Sequence, residues 1–61
     1  MLILLSDLNG TGHIVVDTHR IIFAQDIPGG CKIILETGDV DYAVLEVTES
    51  AQEVFDLCNE P

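Results

Sequence analysis

The stretch KIILETGDVDYAVLEVTESAQEVFD, residues 32 to 56, carries the local signals that decide the fold. Its first part, residues 32 to 36, is a β-branched and aliphatic run that predicts a strand. Residues 37 to 39 interrupt that run with a turn sequence, and residues 42 to 47 resume the extended pattern. The stretch therefore predicts two strands joined by a turn, followed by a change of period at Ser50.

The residues after Ser50 follow a period of about 3.6, which predicts a short α-helix. Ser50 and Glu53 have the spacing of a capping box, in which each side chain satisfies a backbone donor of the other residue. Four apolar side chains recur at i, i+3, i+4 and i+7 on one face: Ala51, Val54, Phe55 and Cys58. A helix this short is unstable alone in water, so we expect it to lie against the sheet.

The first half of the chain predicts three more strands, around residues 2 to 8, 14 to 16 and 21 to 23. Asn9-Gly10 predicts a two-residue type I′ hairpin, because both residues accept a positive φ. Counting outward pairs Leu8 with Thr11, Leu5 with Ile14, Leu4 with Val15 and Ile3 with Val16.

Two polar or glycine-rich segments separate the later strands. Residues 17 to 20 predict a bend or a turn, and residues 26 to 30 predict a loop. The predicted fold class is mainly β: a small antiparallel sheet or partly open barrel of four to five strands with one short C-terminal α-helix. Residues 1 to 61 are expected to form a single domain of this kind.

The apolar residues occur in uninterrupted runs, which predicts strands with two apolar faces. The runs lie at residues 2 to 5, 14 to 16, 21 to 23 and 33 to 35. One short helix cannot cover both faces of such a sheet. We therefore expect a homodimer or higher oligomer, or a different protein, to cover the second face.

The net charge of the 61-residue chain is −9, with eleven acidic residues against Arg20 and Lys32. Eight of the acids follow residue 35, so negative charge is concentrated in the second half. Because phosphate backbones bind surfaces of the opposite sign, nucleic acid and anionic membrane are poor partners. The chain lacks an apolar run of membrane-spanning length and a basic leader, so we expect a cytoplasmic protein without membrane insertion.

The reactive side chains each have a simple structural interpretation. His13, His19 and Asp17 could form a crude metal-ligand set, but a surface or edge histidine is the simpler interpretation of His13, and we prefer it. Cys31 beside a histidine lacks an orienting third group, so it does not predict a nucleophile. Pairing of Cys31 with Cys58 requires that the fold bring them together. We expect a non-enzymatic protein with no cofactor and no metal.

Acidic residues recur on one face of the predicted helix. Their spacing of four, three and four residues places neighbouring charges about 5 to 6 Å apart, which is similar to the phosphates of a nucleic-acid strand. A solvated polar face is the alternative interpretation. The candidate partner-binding residues are this stripe and the acids of the preceding hairpin: Glu49, Glu53, Asp56, Glu60, Glu36, Asp39 and Asp41.

The start of the chain reads Ile3-x-Leu5-Ser6-x-Leu8-Asn9-Gly10. It resembles the I-x-L-[ST]-x-L-N-G opening of the small FlbD/SwrD-like swarming and flagellar proteins. Two later segments of that family also have similar residues here. Its P-D-T-x-I-x-L-x-N-G segment resembles Pro28, Ile34 or Leu35, and Gly38. Its E-S-V-E-E-V segment resembles the residues from Glu49 to Val54. That family has lysines where this chain has Asp39 and Asp41. The resemblance implies a protein-binding role in a motility or regulatory assembly.

A second resemblance, to the carbon-storage regulators, is confined to the M-L-I-L start and the order of five strands and a helix. It implies an intertwined dimer. Those proteins bind RNA through basic residues, and this chain has Asp7, Glu46 and Glu49 in the corresponding neighbourhoods, so RNA binding does not carry over.

Two functions follow from these patterns. The first is a small acidic protein-interaction module in a motility or regulatory assembly. The alternative is a phage-type acidic inhibitor that binds a basic, nucleic-acid-binding host protein by imitating phosphate charge. Both require a protein partner with a basic surface.

Overall fold

The computed structural model describes residues 1 to 10 and 12 to 60. In these residues the chain forms two antiparallel sheets, one of two strands and one of three, and neither sheet is closed. This architecture confirms the predicted fold class. The elements are β1 (Leu2–Ser6), β2 (His13–Asp17), a 3-10 turn (Thr18–Arg20), β3 (Ile21–Ile27), β4 (Gly30–Glu36), β5 (Tyr42–Val47) and α1 (Ala51–Cys58).

The hairpin β1–β2 has the predicted register. Its pairs include Ile3 with Val16, Leu4 with Val15, and Leu5 with Ile14. Ile3, Leu5 and Val16 are buried, whereas Leu4 and Val15 are exposed. A slip of one residue would exchange these two faces. Because both faces are apolar, the position of the turn, and not the apolar pattern, predicted the pairing.

The turn of this hairpin is not the predicted type I′ turn. Positive φ among the described residues is confined to glycines, so Gly10 has one and Asn9 does not. The Asp7 N–H donates to the Gly12 carbonyl, and the Asp7 carbonyl accepts from the Gly10 N–H. The backbone pair that closes the hairpin loop is therefore Asp7 with Gly12, one position farther from the tip of the hairpin on each strand than predicted.

Leu8 was predicted to pair with Thr11, which lies outside the described residues. The Leu8 N–H instead donates to the carbonyl of Glu46 in β5, at 3.0 Å. A local count of hairpin residues cannot find this contact, because the partner is far away in the sequence.

The end of β1 joins the two sheets at a single point. Asp7 forms an isolated antiparallel bridge with Val47, the last residue of β5. Beside it, the Thr48 N–H donates to the Ser6 carbonyl at 2.9 Å. The two sheets are therefore continuous through the main chain, with β1 next to the end of β5.

β3 and β4 are longer than predicted. β3 continues to Ile27 and β4 begins at Gly30, so the predicted loop shrinks to a two-residue turn. Pro28 and Gly29 form this turn, in which Gly29 has φ +89°. That combination fits a type II turn, with proline at its first and glycine at its second central position. The polar residues Gln25 and Asp26 near the end of β3 interrupt the apolar pattern, so that pattern did not predict the full length of the strand.

The turn between β4 and β5 lies where the sequence predicted it. Glu36 pairs with Tyr42, and the Thr37 hydroxyl donates to the Asp41 carbonyl at 2.7 Å. Gly38 has φ +86°, a conformation that glycine adopts without steric cost.

The core lies between the two sheets and the helix. α1 packs against β3 and β4, as predicted for a helix too short to persist alone. Val54 is its buried residue, but the predicted stripe is rotated: Phe55 is 62% exposed and Leu57 is half-buried against the core. The core residues are Ile3, Leu5, Val16, Cys31, Ile33, Val47 and Val54.

The helix N-terminus is capped from two directions. The Ser50 hydroxyl accepts a hydrogen bond from the Glu53 N–H at 3.1 Å, as predicted, but it also donates to the Glu53 carboxylate at 3.4 Å. That carboxylate therefore takes a side-chain donor in place of the backbone donor expected in a capping box. The Ala51 N–H donates to Asp26 of β3 at 2.9 Å, which ties the helix to the sheet.

Gly30 permits the close contact between the start of β4 and the end of β5. A Cβ atom at Gly30 would lie 1.8 Å from the Val47 carbonyl oxygen, which belongs to the backbone and cannot rotate away. At Gly10, with φ +75°, a Cβ atom would meet nothing within 4 Å. Position 10 thus requires glycine only because of its positive φ. Position 30 requires glycine because a side chain has no space there.

We predict that Gly30→Ala lowers the free energy of unfolding by about 3 kcal/mol, because backbone must move to relieve the overlap. Gly10→Ala, the control, should cost about 1 to 2 kcal/mol from its positive φ only. Urea unfolding followed by circular dichroism measures both. An equal or smaller cost for Gly30→Ala would contradict the steric assignment.

Candidate functional site

An open groove of about 420 Å³ lies between β1 and α1. Leu4, on the exposed face of β1, forms one side, and the helix with its preceding loop forms the other. We call this feature the acidic groove. Its lining residues are Leu4, Glu49, Glu53, Asp56, Leu57 and Glu60.

The acidic groove contains the entire predicted stripe of Glu49, Glu53, Asp56 and Glu60. Only Glu53 and Asp56 belong to α1, where a spacing of three residues keeps them on one side of the helix. Glu49 precedes the N-cap and Glu60 follows the C-cap, so the predicted single helix face is a wall built from the helix and both of its flanking segments. Leu4 and Leu57 add two apolar side chains to the same lining.

Two of the acids make local hydrogen bonds that fix their positions. The Glu53 carboxylate accepts from the Ser50 hydroxyl, and the Asp56 carboxylate accepts from the Gln52 side-chain amide at 3.0 Å. An ionised carboxylate has about four lone-pair sites, so one accepted bond leaves most of its capacity for a ligand.

Glu49 has a structural role that the sequence did not reveal. The Ser6 N–H donates to both oxygens of the Glu49 carboxylate, at 2.9 and 3.2 Å. The Ser6 carbonyl already accepts from the Thr48 N–H. In a continued antiparallel pair the Ser6 N–H would donate to a backbone carbonyl of the neighbouring strand, but here it donates to the Glu49 carboxylate. The backbone pairing between β1 and the chain that follows β5 therefore ends at this point.

The other predicted acids lie at a different place. Glu36 is paired with Tyr42 at the turn end of β5, whereas Val47 and the helix are at its opposite end. Asp39 and Asp41 lie in that turn and are exposed. The structure therefore separates the candidate residues into two groups, at opposite ends of the hairpin β4–β5. Only the helical group lines the groove.

The two histidines are also separated. His19 lies in the 3-10 turn, with its Nδ1 atom 3.4 Å from Asp17, whereas His13 begins the far end of β2. The Asp17 carboxylate accepts from the His19 N–H, which lowers the pKa of Asp17, and the nearby Met1 amino group lowers it further. Within the residues described, no cluster of three or more His, Cys, Asp and Glu is arranged to hold a metal ion.

Cys31 is fully buried in the core. Burial raises the pKa of its thiol, and the negative charges of Asp26, Glu49 and Glu53 raise it further. Since the thiolate is the reactive form, these surroundings make Cys31 a poor nucleophile. Cys31 and Cys58 are both free thiols.

A second exposed surface is apolar. Phe23, Ile34 and Val44 are cross-strand neighbours on the outer face of the three-stranded sheet, and we call them the apolar ladder. Phe23 and Val44 are half exposed or more, as is Tyr42 beside them. The uninterrupted apolar runs in the sequence predicted such a face, although not which side chains meet on it.

No family model matches the chain, and no curated protein or solved structure is significantly similar to it. The resemblance to the swarming and flagellar proteins therefore stays a hypothesis. None of the helices in the described part of the chain is long and apolar enough to cross a membrane.

We predict that Glu49→Ala lowers the free energy of unfolding by about 1 to 2 kcal/mol, because Ser6 loses a charged hydrogen-bond acceptor. Glu49→Gln keeps one acceptor oxygen and should lose less. Glu60→Ala is the matched control, since it removes the same charge from an exposed position of the same groove. Equal stability of Glu49→Ala and Glu60→Ala would contradict the role assigned to Glu49.

Proposed function

We propose that this protein is a non-catalytic binding module whose acidic groove recognises a basic surface of a partner protein. The observation that carries the proposal is the position of Glu49, Glu53, Asp56 and Glu60 around one groove. Glu53 and Asp56 are neighbours on α1, three residues apart, and a like-charge pair between neighbouring helix positions destabilises a helix by about 0.2 to 0.5 kcal/mol. A cationic partner removes that repulsion, so binding recovers free energy that the isolated chain lacks.

The charge balance of the whole chain supports the same partner. A net charge of −9 attracts cationic surfaces over several ångströms and speeds their association. Leu4 and Leu57 supply apolar contact area in the lining of the groove. Long basic side chains match this combination, because their methylene stems pack on apolar surface while their charged ends reach the carboxylates.

A nucleic-acid-binding protein is one such partner. Glu53 and Asp56, neighbours on α1, are about 5 to 6 Å apart, which is similar to the phosphate spacing that a basic nucleic-acid groove accommodates. On this alternative, the protein acts as an inhibitor that occupies the groove of a host protein. Duplex DNA would then compete with it for the captured partner.

The FlbD/SwrD-like resemblance favours a different setting for the same binding activity, namely a motility or regulatory assembly. In that setting the partner is a component of the assembly and DNA does not compete. Competition by DNA therefore separates the two functions without changing the protein.

We also propose that a second copy of the chain covers the apolar ladder. Phe23, Ile34 and Val44 form a continuous row across three strands, and apolar area of this kind drives association when it leaves water. Lys32 lies on the same face, between acidic Glu46 and polar neighbours. A two-fold arrangement can therefore place the lysine of one copy near acids of the other.

We predict that the triple change Glu53→Gln, Asp56→Asn and Glu60→Gln abolishes salt-sensitive binding to basic proteins. The matched control is Glu36→Gln, Asp39→Asn and Asp41→Asn, which removes the same charge at the other end of the hairpin. Pull-downs from lysate at low salt and at 0.5 M salt, with and without duplex DNA, should lose basic partners only for the groove variant. Equal losses for both variants would show that net charge, and not the groove, governs binding.

We predict that Val44→Asp converts an oligomer to a monomer, because it places a charge in the middle of the apolar ladder. Val40→Asp is the control, since Val40 lies on the β4–β5 turn and is 88% exposed. Light scattering at micromolar concentration distinguishes the states. A wild-type mass of 6.6 kDa, that of one chain, would contradict the proposed oligomer.

A further inference from the structure

The outer edge of β1 offers unpaired backbone groups beside the acidic groove. In the hairpin β1–β2, the Asp7 N–H donates to the Gly12 carbonyl and the Thr18 N–H donates to the Met1 carbonyl. Hydrogen-bonded pairs in an antiparallel ladder alternate with pairs whose backbone groups point outward. The N–H and C=O groups of Leu2 and Leu4 therefore point away from β2.

The neighbours of β1 leave this edge open. Ser6 is satisfied by the Thr48 N–H and the Glu49 carboxylate, and there the chain turns away into α1. In the part of the chain that the structure describes, no strand pairs with β1 at Leu2 and Leu4 on this side. We call these two residues the open edge. Their side chains are also largely exposed, at 69% and 56%.

We propose that the open edge of β1 binds an extended basic segment of the partner protein by strand addition. The segment lies between β1 and α1, hydrogen-bonded through its backbone to Leu2 and Leu4. Its basic side chains reach Glu53, Asp56 and Glu60. This inference rests on the proposed function, to which it adds the conformation and chemistry of the bound segment.

The residue spacing along the acidic wall suits an extended segment. Side chains at alternate positions of a strand lie about 7 Å apart and point to the same side. Glu53 and Asp56, neighbours on α1, are about 5 to 6 Å apart, a difference that flexible lysine and arginine side chains can span. A segment that alternates basic and apolar residues therefore presents its charges to the helix and its apolar residues to the opposite side.

The charge of the groove argues against a second copy of this chain as the occupant. Two copies paired through β1 would bring the same carboxylates, Glu53, Asp56 and Glu60, to the same junction. Each copy has a net charge of −9 and only two basic residues, Arg20 and Lys32, neither of which is in β1 or α1. An isologous contact repeats the same patch on both partners, so it would repeat this repulsion.

The test uses a fluorescent six-residue peptide that alternates lysine and valine, with binding followed by fluorescence anisotropy at low salt. Leu4→Pro removes one outward N–H and blocks the edge, but it leaves the hydrogen bonds to β2 unchanged. Val15→Pro is the matched control, because Val15 is the cross-strand partner of Leu4 and its N–H points to the opposite edge of the hairpin. Circular dichroism checks the fold of both variants.

We expect Leu4→Pro to weaken peptide binding by about tenfold, and Val15→Pro to change it by less than about twofold. A peptide with N-methyl groups on alternate backbone nitrogens should lose as much affinity for the unmodified protein, which tests the same hydrogen bonds without any protein variant. The peptide should also slow the hydrogen exchange of the Leu2 and Leu4 amides and leave that of Val15 unchanged.

Two results separate this inference from the proposed function. If the groove variant Glu53→Gln, Asp56→Asn and Glu60→Gln loses binding while Leu4→Pro and the N-methylated peptide retain it, strand addition is overturned and the acidic groove remains the binding site. If the peptide fails to bind, or binds the groove variant equally well, both proposals are overturned. Concentration-dependent protection of Leu2 and Leu4 without peptide would assign the edge to a second copy and overturn the inference.

Discussion

The contact between the end of β1 and the end of β5 is the constraint on which this fold depends. Asp7 and Val47 bridge the two sheets, and the close approach of Gly30 to Val47 lets β4 start beside the same point. The sheet β1–β2 is too small to be stable alone, since an isolated two-stranded hairpin is at best marginal in water. The junction of the two sheets aligns their inner faces, so that one core serves both sheets and the helix.

This junction also creates the acidic groove. Because β5 ends beside Ser6, the chain must leave the sheet there, and the helix that follows runs near the exposed side of β1. The Glu49 carboxylate accepts a hydrogen bond from the Ser6 N–H, the last backbone donor at this junction. The residue that completes the fold is therefore also the first acid of the site. The Glu49 carboxylate contributes both to the fold and to the shape of the site.

Sequence patterns predicted the parts of this structure that depend on local chemistry. The register of β1–β2 followed from counting outward from Asn9-Gly10, the turn before Tyr42 from its glycine, and the helix start from Ser50. The two errors in the first hairpin and the helix have a common cause. Leu8 and Phe55 take positions set by residues distant in the sequence, Leu8 by its bond to β5 and Phe55 by the way α1 lies on the sheet.

Sequence patterns could predict only part of the candidate site. Glu49, Glu53, Asp56 and Glu60 do line one groove. The helical period accounts for Glu53 and Asp56 alone, since Glu49 precedes α1 and Glu60 follows it. The grouping with Glu36, Asp39 and Asp41 assumed that neighbours in sequence are neighbours in space. A strand of six residues stands between the two groups. Leu4 could not be assigned to the site, because its distance in sequence from α1 hides their proximity.

The groove is built from the first strand and the last helix, and this has a consequence for the life of the protein in a cell. A ligand held by both elements binds only the folded chain, so at a concentration 100 times its dissociation constant it adds about 2.7 kcal/mol to the free energy of unfolding. Domains of this size have little stability to spare. On the proposed function, chains without the partner would unfold more often and meet proteases more often, so the amount of this protein would follow the amount of the proposed partner.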